Sequence, residues 1–338
     1  MKTVHLVIAD LFLPKDFAAE VCADLPLPAL EKMLARGCSE TLQPVPLENK
    51  LCGLFGMSCG DGVPVAPVSA SFDRLGAGCW LRADPVHLRL QREQVVLLPD
   101  VAVSVDEAGR FCASLNEYFT GQGMEFFAPH PQRWYVRLDR LPDVEMVALS
   151  QVAGRNIDGL LPGGVEATRW RQVFNEIQML LFAHPLNAAR EARGELPVNG
   201  VWLWGAGQAG RLPSPQKNYD RVSSDEVLAE MLAAAAGIPF SGWTGLWRGE
   251  EHNDRQLLVF TGLRSALRRG DLAGWRDALQ NFETGYAQPL WRALRAGEIS
   301  QLRIDVLGGD DSRRMLLTRA DAWAFWRGSR GLAEFSMG

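Results

Sequence analysis

Near its start the chain runs Val4-His5-Leu6-Val7-Ile8-Ala9-Asp10. A short apolar run of this kind reads as a buried strand, and Asp10 stands where the strand ends and a loop begins. Open α/β sheets collect ligands and catalytic groups at the carboxyl ends of their strands. Asp10 is therefore either such a group or a cap on the following turn. Leu27, Leu30, Met33 and Leu34 recur at i, i+3, i+6 and i+7, which predicts a helix over 27–36 with Gly37 at its C-cap. The stretch 44–78, rich in Gly, Pro and Ser, reads as loop with short helices.

Further along, alternation predicts strands over 81–90 and 94–98, a helix over 105–122 and a strand over 134–139. An apolar helix over 169–183 is expected to end at His184-Pro185, because proline restricts the residue before it. A second apolar strand at 200–204 leads into Gly205-Ala206-Gly207. After it come a helix over 225–235, a strand over 256–261, helix over 274–296 with Gly297 just past its end, and a strand over 300–307. The tail 320–328 reads as an edge strand or a helix. Strands alternating with helices at both ends imply one mostly parallel sheet, with the middle third inserted as a smaller α+β unit. The expected division is 1–79 and 198–338 for the core, and 80–197 for the insert.

Composition narrows the function classes. A net charge of -5 over 338 residues gives no electrostatic footprint for nucleic acid. Arginines do cluster, at Arg264, Arg268 and Arg269 and at Arg313 and Arg314, as solvated faces or as an anion pocket. No apolar run reaches the roughly 20 residues that a membrane helix needs, and the N-terminal stretch lacks the cleavage site of a signal peptide. The six cysteines, Cys22, Cys38, Cys52, Cys59, Cys79 and Cys112, contain no C-x-x-C pair and read as reduced thiols of a cytoplasmic protein. The five histidines lie singly along the chain, so no histidine-rich metal site is expected. Gly205-Ala206-Gly207 lacks the third glycine of a dinucleotide fingerprint. Neither G-x-S-x-G nor a P-loop is present. Gly308-Gly309-Asp310-Asp311 is a turn that either binds a cation or is simply solvated.

The order of these pieces resembles the cofactor-independent phosphoglycerate mutases of the archaeal type, in the alkaline-phosphatase-like superfamily. Three blocks carry the resemblance. They are the strand ending in Asp10 with L-P-A-L-E-K-M-L-A-R-G after it, the run Trp80-Leu81-Arg82-Ala83-Asp84-Pro85, and H-P-L-N-A-A-R-E-A-R-G-E-L-P-V-N-G-V-W-L-W-G-A-G over 184–207. The fold implied is an alkaline-phosphatase-like core, its mostly parallel sheet flanked by helices, with an inserted α+β lid domain. The family's catalysis, as the resemblance implies it, uses a serine or threonine nucleophile and two divalent metals. The metals lower the nucleophile's pKa and neutralise phosphoryl charge, and Asp and His ligands hold them.

This chain departs from that pattern. The nucleophile's segment corresponds to Pro46-Leu47-Glu48-Asn49-Lys50, with no Ser or Thr. The family's Asp-Glu-Ala-Gly-His loop corresponds to Arg264-Ser265-Ala266-Leu267-Arg268, so Arg264 stands for an Asp ligand and Arg268 for a His. Its Asp-His turn corresponds to Asp310-Asp311, and a later histidine falls near Thr318. Only Asp10 and Asp310 match the metal shell. A guanidinium in place of a divalent cation would itself balance Asp10 and Asp310 and repel metal; alternatively, Arg264 and Arg268 point to solvent. Arg82, Arg133, Asn187 and Arg190 are the groups expected to hold an anionic ligand by forked hydrogen bonds, although Arg190 and Arg193 also fit a polar helix face. His184 reads as structural.

The expected function is non-catalytic: a regulatory or anion-binding protein on the mutase-like fold, without catalytic residues, metal or cofactor. A regulatory branch of the superfamily in proteobacteria, the RpfE type, is similar. Its ligand would be a small phosphorylated or carboxylate compound, or its partner a protein. The alternative is a phosphoryl-transfer enzyme with a rebuilt active site; arginines supply charge, but the attacking group is missing.

Overall fold

The strand that opens the chain lies in the middle of a seven-stranded sheet. The structure is a computed structural model that describes residues 2–57, 63–211, 213–249, 254–308, 312–324 and 326–336. Its strands, in chain order, are β1 Thr3–Ala9, β2 Cys38–Leu42, β3 Cys79–Gln91, β4 Gln94–Leu98, β5 Met124–His130, β6 Arg133–Leu138, β7 Gly200–Gln208, β8 Arg221–Ser224, β9 Phe240–Gly242, β10 Arg255–Phe260, β11 Gln301–Leu307 and β12 Ser312–Thr318. The chain divides into two compact units, residues 1–55 with 215–338, and residues 56–214.

The first unit holds the sheet β2-β12-β11-β1-β10-β8-β9. From β11 to β9 every pair is parallel, while β12 runs antiparallel between β11 and β2. The mostly parallel sheet expected from the alternation of elements is present. One face is apolar: Leu6, Ile8, Leu258, Phe260, Ile304 and Val306 pack under the helices Pro28–Arg36, Leu272–Phe282 and Gln288–Ala296. Pro28–Arg36 is nine residues long, too short to persist alone in water. Tertiary contacts hold it. Leu30 and Met33 are fully buried, each contributing about 1.5–3 kcal/mol relative to exposure. Its N-terminus is closed from far along the chain, where the buried Glu283 carboxylate accepts from the backbone N–H groups of Ala29 and Leu30 at 2.8 and 3.0 Å. Glu283 opens a π-helical turn, Glu283–Ala287, that interrupts the helix expected over 274–296. Gly297 ends the second part in the left-handed region, at φ 83°.

The second unit is antiparallel. β3 pairs with β4, β6 and β7, and β5 pairs with β6. The helices Val105–Tyr118 and Ala167–Phe182 bury Phe111, Leu115, Ile177 and Leu181 in the core of this unit. Ser104 and Glu107 cap the first of them reciprocally.

Several expectations are corrected here. The apolar strand at 200–204 is β7, and it joins the antiparallel sheet of the second unit instead of the parallel one. The same pairing carries the division to 55/56 and 214/215 from 79/80 and 197/198, because β7 and the helix Val65–Phe72 both pack on β3. His184-Pro185 begins a helix as well as ending one: His184 Nδ1 accepts from Leu186 N at 3.2 Å, with Pro185 at the first helical position of Pro185–Ala192. The tail contributes a four-residue helix, Arg319–Ala322. β5, β8, β9, β12 and β2 carried no readable signal in the sequence. Cys22, Cys38, Cys52, Cys79 and Cys112 form no disulfide, while Cys59 lies outside the described residues. Among those residues no helix is long and apolar enough to cross a membrane.

Candidate functional site

The carboxyl ends of the parallel strands gather charged groups. Asp10 follows β1 with φ 57°, in the left-handed region that a non-glycine residue enters at a cost of about 1–3 kcal/mol. Its backbone is fixed there: Asp10 N donates to Leu307 O at 2.7 Å, and Trp275 Nε1 donates to Asp10 O at 3.3 Å. The side chain meets Arg264, from the helix Gly262–Arg268 that follows β10, whose Nε donates to Asp10 Oδ2 at 2.7 Å. Both side chains are largely buried, 16% and 26% exposed, so the pair is shielded more than a surface ion pair.

Two further acids, Glu48 and Glu226, act on Arg264. Burial alone would lower the pKa of its guanidinium, but the attraction of Asp10, Glu48 and Glu226 outweighs this and raises it. Glu226, at the end of β8, is pushed up by burial while it accepts from Leu228 N at 3.1 Å. Its neighbour Asp225 is also raised by burial, and it accepts from Thr261 N at 2.8 Å. Arg264 therefore arrives already balanced by carboxylates. Arg268 stands exposed in the last turn of the same helix. Asp310 and Asp311 lie outside the described residues.

A second charged cluster lies on the sheet face opposite the apolar one. Asp305 of β11 is fully buried and accepts from His5 Nε2 at 3.0 Å, from Arg314 Nε at 2.8 Å and from Lys50 Nζ. Lys50 comes from the helix Leu47–Leu54, the segment that the resemblance aligns with the nucleophile. Burial opposes ionisation of Asp305, yet these partners hold its carboxyl far below the usual range. Burial also lowers His5, whose Nδ1 lies 2.8 Å from the Tyr219 hydroxyl. In the sequence, the signal for this cluster is the polar alternation of Arg303 and Asp305 within an otherwise apolar strand.

In the second unit Arg82 and Arg133 are each matched by a carboxylate. Arg82 donates to Asp84 Oδ1 from Nε at 3.1 Å and to Ser69 Oγ at 3.1 Å, and Trp204 Nε1 closes Asp84 Oδ2 at 2.7 Å. Arg133 forks onto Asp73 at 2.8 and 2.7 Å, and Tyr135 donates to the same carboxylate. Burial tends to raise Asp73, but Arg133 and Tyr135 bring it below its ordinary value.

Asn187 and Arg190 spend their polar atoms inside the unit. Asn187 Nδ2 donates to Leu181 O and Val198 O, and its Oδ1 accepts from Val198 N, all within 2.7–2.9 Å. Arg190, 1% exposed, donates to Leu196 O, Ala102 O and Glu107. These contacts occupy both side chains inside the unit, Asn187 with backbone groups and Arg190 with two backbone carbonyls and the Glu107 carboxylate.

No family model matches the chain. Among curated proteins it is similar to 2,3-bisphosphoglycerate-independent phosphoglycerate mutases. It is 27% identical to that of Methanosarcina barkeri over 36% of this chain and 31% of the relative. It is 24% identical to that of Methanosarcina acetivorans over 58% of this chain and 54% of the relative. The chain is a distant homologue of these mutases. It spans about a third to a half of the length of the mutases it matches. A solved structure of a Pyrococcus horikoshii protein matches its fold with TM-score 0.56 at 14% identity, covering 94% of this chain and 87% of that one. The fold is thus the mutase-like, alkaline-phosphatase-like one, a large mostly parallel sheet with a separate antiparallel sheet consistent with an inserted domain.

Among the described residues the donor set does not fit the two divalent metals that the mutase resemblance implies. Asp10 Oδ2 is taken by Arg264, and Arg264 and Arg268, which the resemblance aligns with ligands, are cations. Among the described residues no group of three His, Cys, Asp or Glu side chains is placed to hold an ion.

Proposed function

We propose that the chain is a non-catalytic member of the mutase-like proteins, in which an arginine–carboxylate pair stands where the mutases place metal, and that it acts by binding. One observation carries this reading: Arg264 Nε on Asp10 Oδ2 at 2.7 Å, at the carboxyl end of the central strand. A guanidinium there supplies the countercharge without the Lewis acidity that activates a nucleophile, and Pro46–Lys50 offers no hydroxyl to activate. The role is regulatory, like that of the RpfE type, exercised in the cytoplasm through a small phosphorylated or carboxylate compound or a protein partner. A phosphorylated ligand engages Arg264 or Arg133 by displacing a carboxylate, because both guanidiniums are already paired.

A thermal-shift panel with turnover assays tests this. A ligand at a hundred times its Kd stabilises the native state by about 2.7 kcal/mol, a shift of several degrees. The expected result is no shift with Mn2+ and no interconversion of phosphoglycerates. A Mn2+-dependent shift together with turnover overturns the reading.

A further inference from the structure

A cavity of about 420 Å³ opens in the first unit, over the edge of the large sheet where β10, β8 and β9 run side by side. The parallel register assembles one wall. Arg221 stands beside Gln256, and Ser223 stands between Leu258 and Ser241. Residues two apart along a strand share a face, so all five lie on the face where Leu258 packs. Arg221 opens β8 and Gln256 is second in β10, toward the amino ends of strands whose carboxyl ends carry the Asp10–Arg264 pair. None of the charged groups discussed above lines the cavity.

The opposite wall is the loop after β9, clamped on the π-helical turn. Trp247 N donates to Gly285 O at 2.7 Å, and the Trp243 ring stacks on Tyr286 with centroids 3.7 Å apart. A Cβ on Gly285 would collide with Gly245 O, so this close approach needs glycine. Leu246, 45% exposed, joins Trp247 and Tyr286 in giving the wall an apolar surface.

The polar groups left over are donors. Gln256 is 9% exposed, and its Oε1 accepts from Trp247 Nε1 at 2.9 Å. An indole N–H can only donate, which fixes the amide and leaves its Nε2 hydrogens without a bond to any described residue. That nitrogen is not sealed from solvent, and with β1 and β8 flanking β10 the cavity is where it is reached. Ser223 and Ser241 share one hydrogen, their oxygens 2.6 Å apart, so one hydroxyl hydrogen remains. Thr244 spends its own on Leu246 O at 3.0 Å. Arg221 is already engaged, its Nε 3.9 Å from Asp254 Oδ2. Arg248 is exposed and has no ion pair among the described residues. No described residue of the lining is acidic.

We propose that this cavity binds a small oxyanion carried on an apolar body. The oxyanion accepts from Gln256 Nε2, from the spare serine hydroxyl and from the Arg248 guanidinium, and the hydrocarbon covers Leu246 and Trp247. An apolar wall with a few convergent polar groups is the usual make-up of small-molecule sites, and a guanidinium suits carboxylate and phosphate alike. Binding here does not depend on Arg264 or Arg133 taking a ligand.

Calorimetric titration of the full chain with phenyl phosphate and with benzoate tests this, with benzyl alcohol as the uncharged control. The expected result is saturable binding of at least one anion, tighter than that of the alcohol. Arg248→Gln, at an exposed position, should weaken the anion about tenfold, the loss of one charge-assisted hydrogen bond. Gln256→Glu keeps an oxygen for Trp247 Nε1 and sets a carboxylate where the donor was, so it should abolish anion binding. Arg248→Gln decides alone should Gln256→Glu fail to fold. Absence of binding by both anions at millimolar concentration overturns the proposal. So does an affinity that Arg248→Gln leaves unchanged, or equal binding of the anion and benzyl alcohol.

Discussion

Replacing Asp305 by alanine should lower the stability of the first unit by about 3–5 kcal/mol, the cost of leaving buried charge without its partner. Asp305 has no exposed surface, and its carboxylate neutralises Lys50 and Arg314 while it orients His5. Alanine removes a partner from all three at once. Lys50 feels this most, since its side chain is 11% exposed. The urea midpoint followed by far-UV circular dichroism measures the loss, and an unchanged midpoint would contradict the assignment.

The same cluster predicts the direction of the pH dependence. Asp305 and His5 both have folded pKa values below their ordinary ones, so the unfolded chain binds more protons and stability rises with pH. The contribution of His5 is complete above its unfolded value of about 6.5 and is lost as pH falls through that value toward the folded one. The contribution of Asp305 is complete above about 3.9 and is lost only below it. Urea midpoints between pH 8 and pH 4 should therefore fall in the native chain. The fall should be shallower near pH 6 in His5→Gln, which has no imidazole to titrate.

The second large effect is expected at Arg190. Its guanidinium joins Glu107, Ala102 O and Leu196 O from within a nearly closed environment. Arg190→Ala leaves the Glu107 carboxylate with fewer donors and two carbonyls without this partner, a loss of about 3–5 kcal/mol for a buried pair broken on one side. Were Arg190 instead a ligand-binding group facing solvent, the substitution would leave stability within about 0.5 kcal/mol of the native chain. Denaturant unfolding separates the two outcomes.

These two residues show why part of the molecule was legible in the sequence and part was not. The strand ending in Asp10 and the helix after it were readable because their apolar residues follow local periods of strand and helix. Arg264 could be brought to Asp10 only through the resemblance, since 254 positions separate the pair. Arg190 looked like a ligand group because a sequence shows its charge but not its burial, and its partners come from residues 102 to 107 and 196. His5 looked solitary because Asp305 lies 300 positions away. β7 was misplaced for a similar reason. An apolar run fixes that a strand is buried, and only the pairing of Ala83 with Leu203 decides in which sheet. β12 and β2 were missed because an edge of short, half-polar strands alternates too weakly to stand out.

The proposal that the Arg264–Asp10 pair stands where the mutases place metal is tested by Mn2+ binding, measured by electron paramagnetic resonance on the full chain and on Asp10→Asn. The pair predicts that free Mn2+ equals added Mn2+ in both proteins, because the carboxylate at the end of β1 is already neutralised. Stoichiometric Mn2+ binding by the native chain, lost in Asp10→Asn, would contradict it.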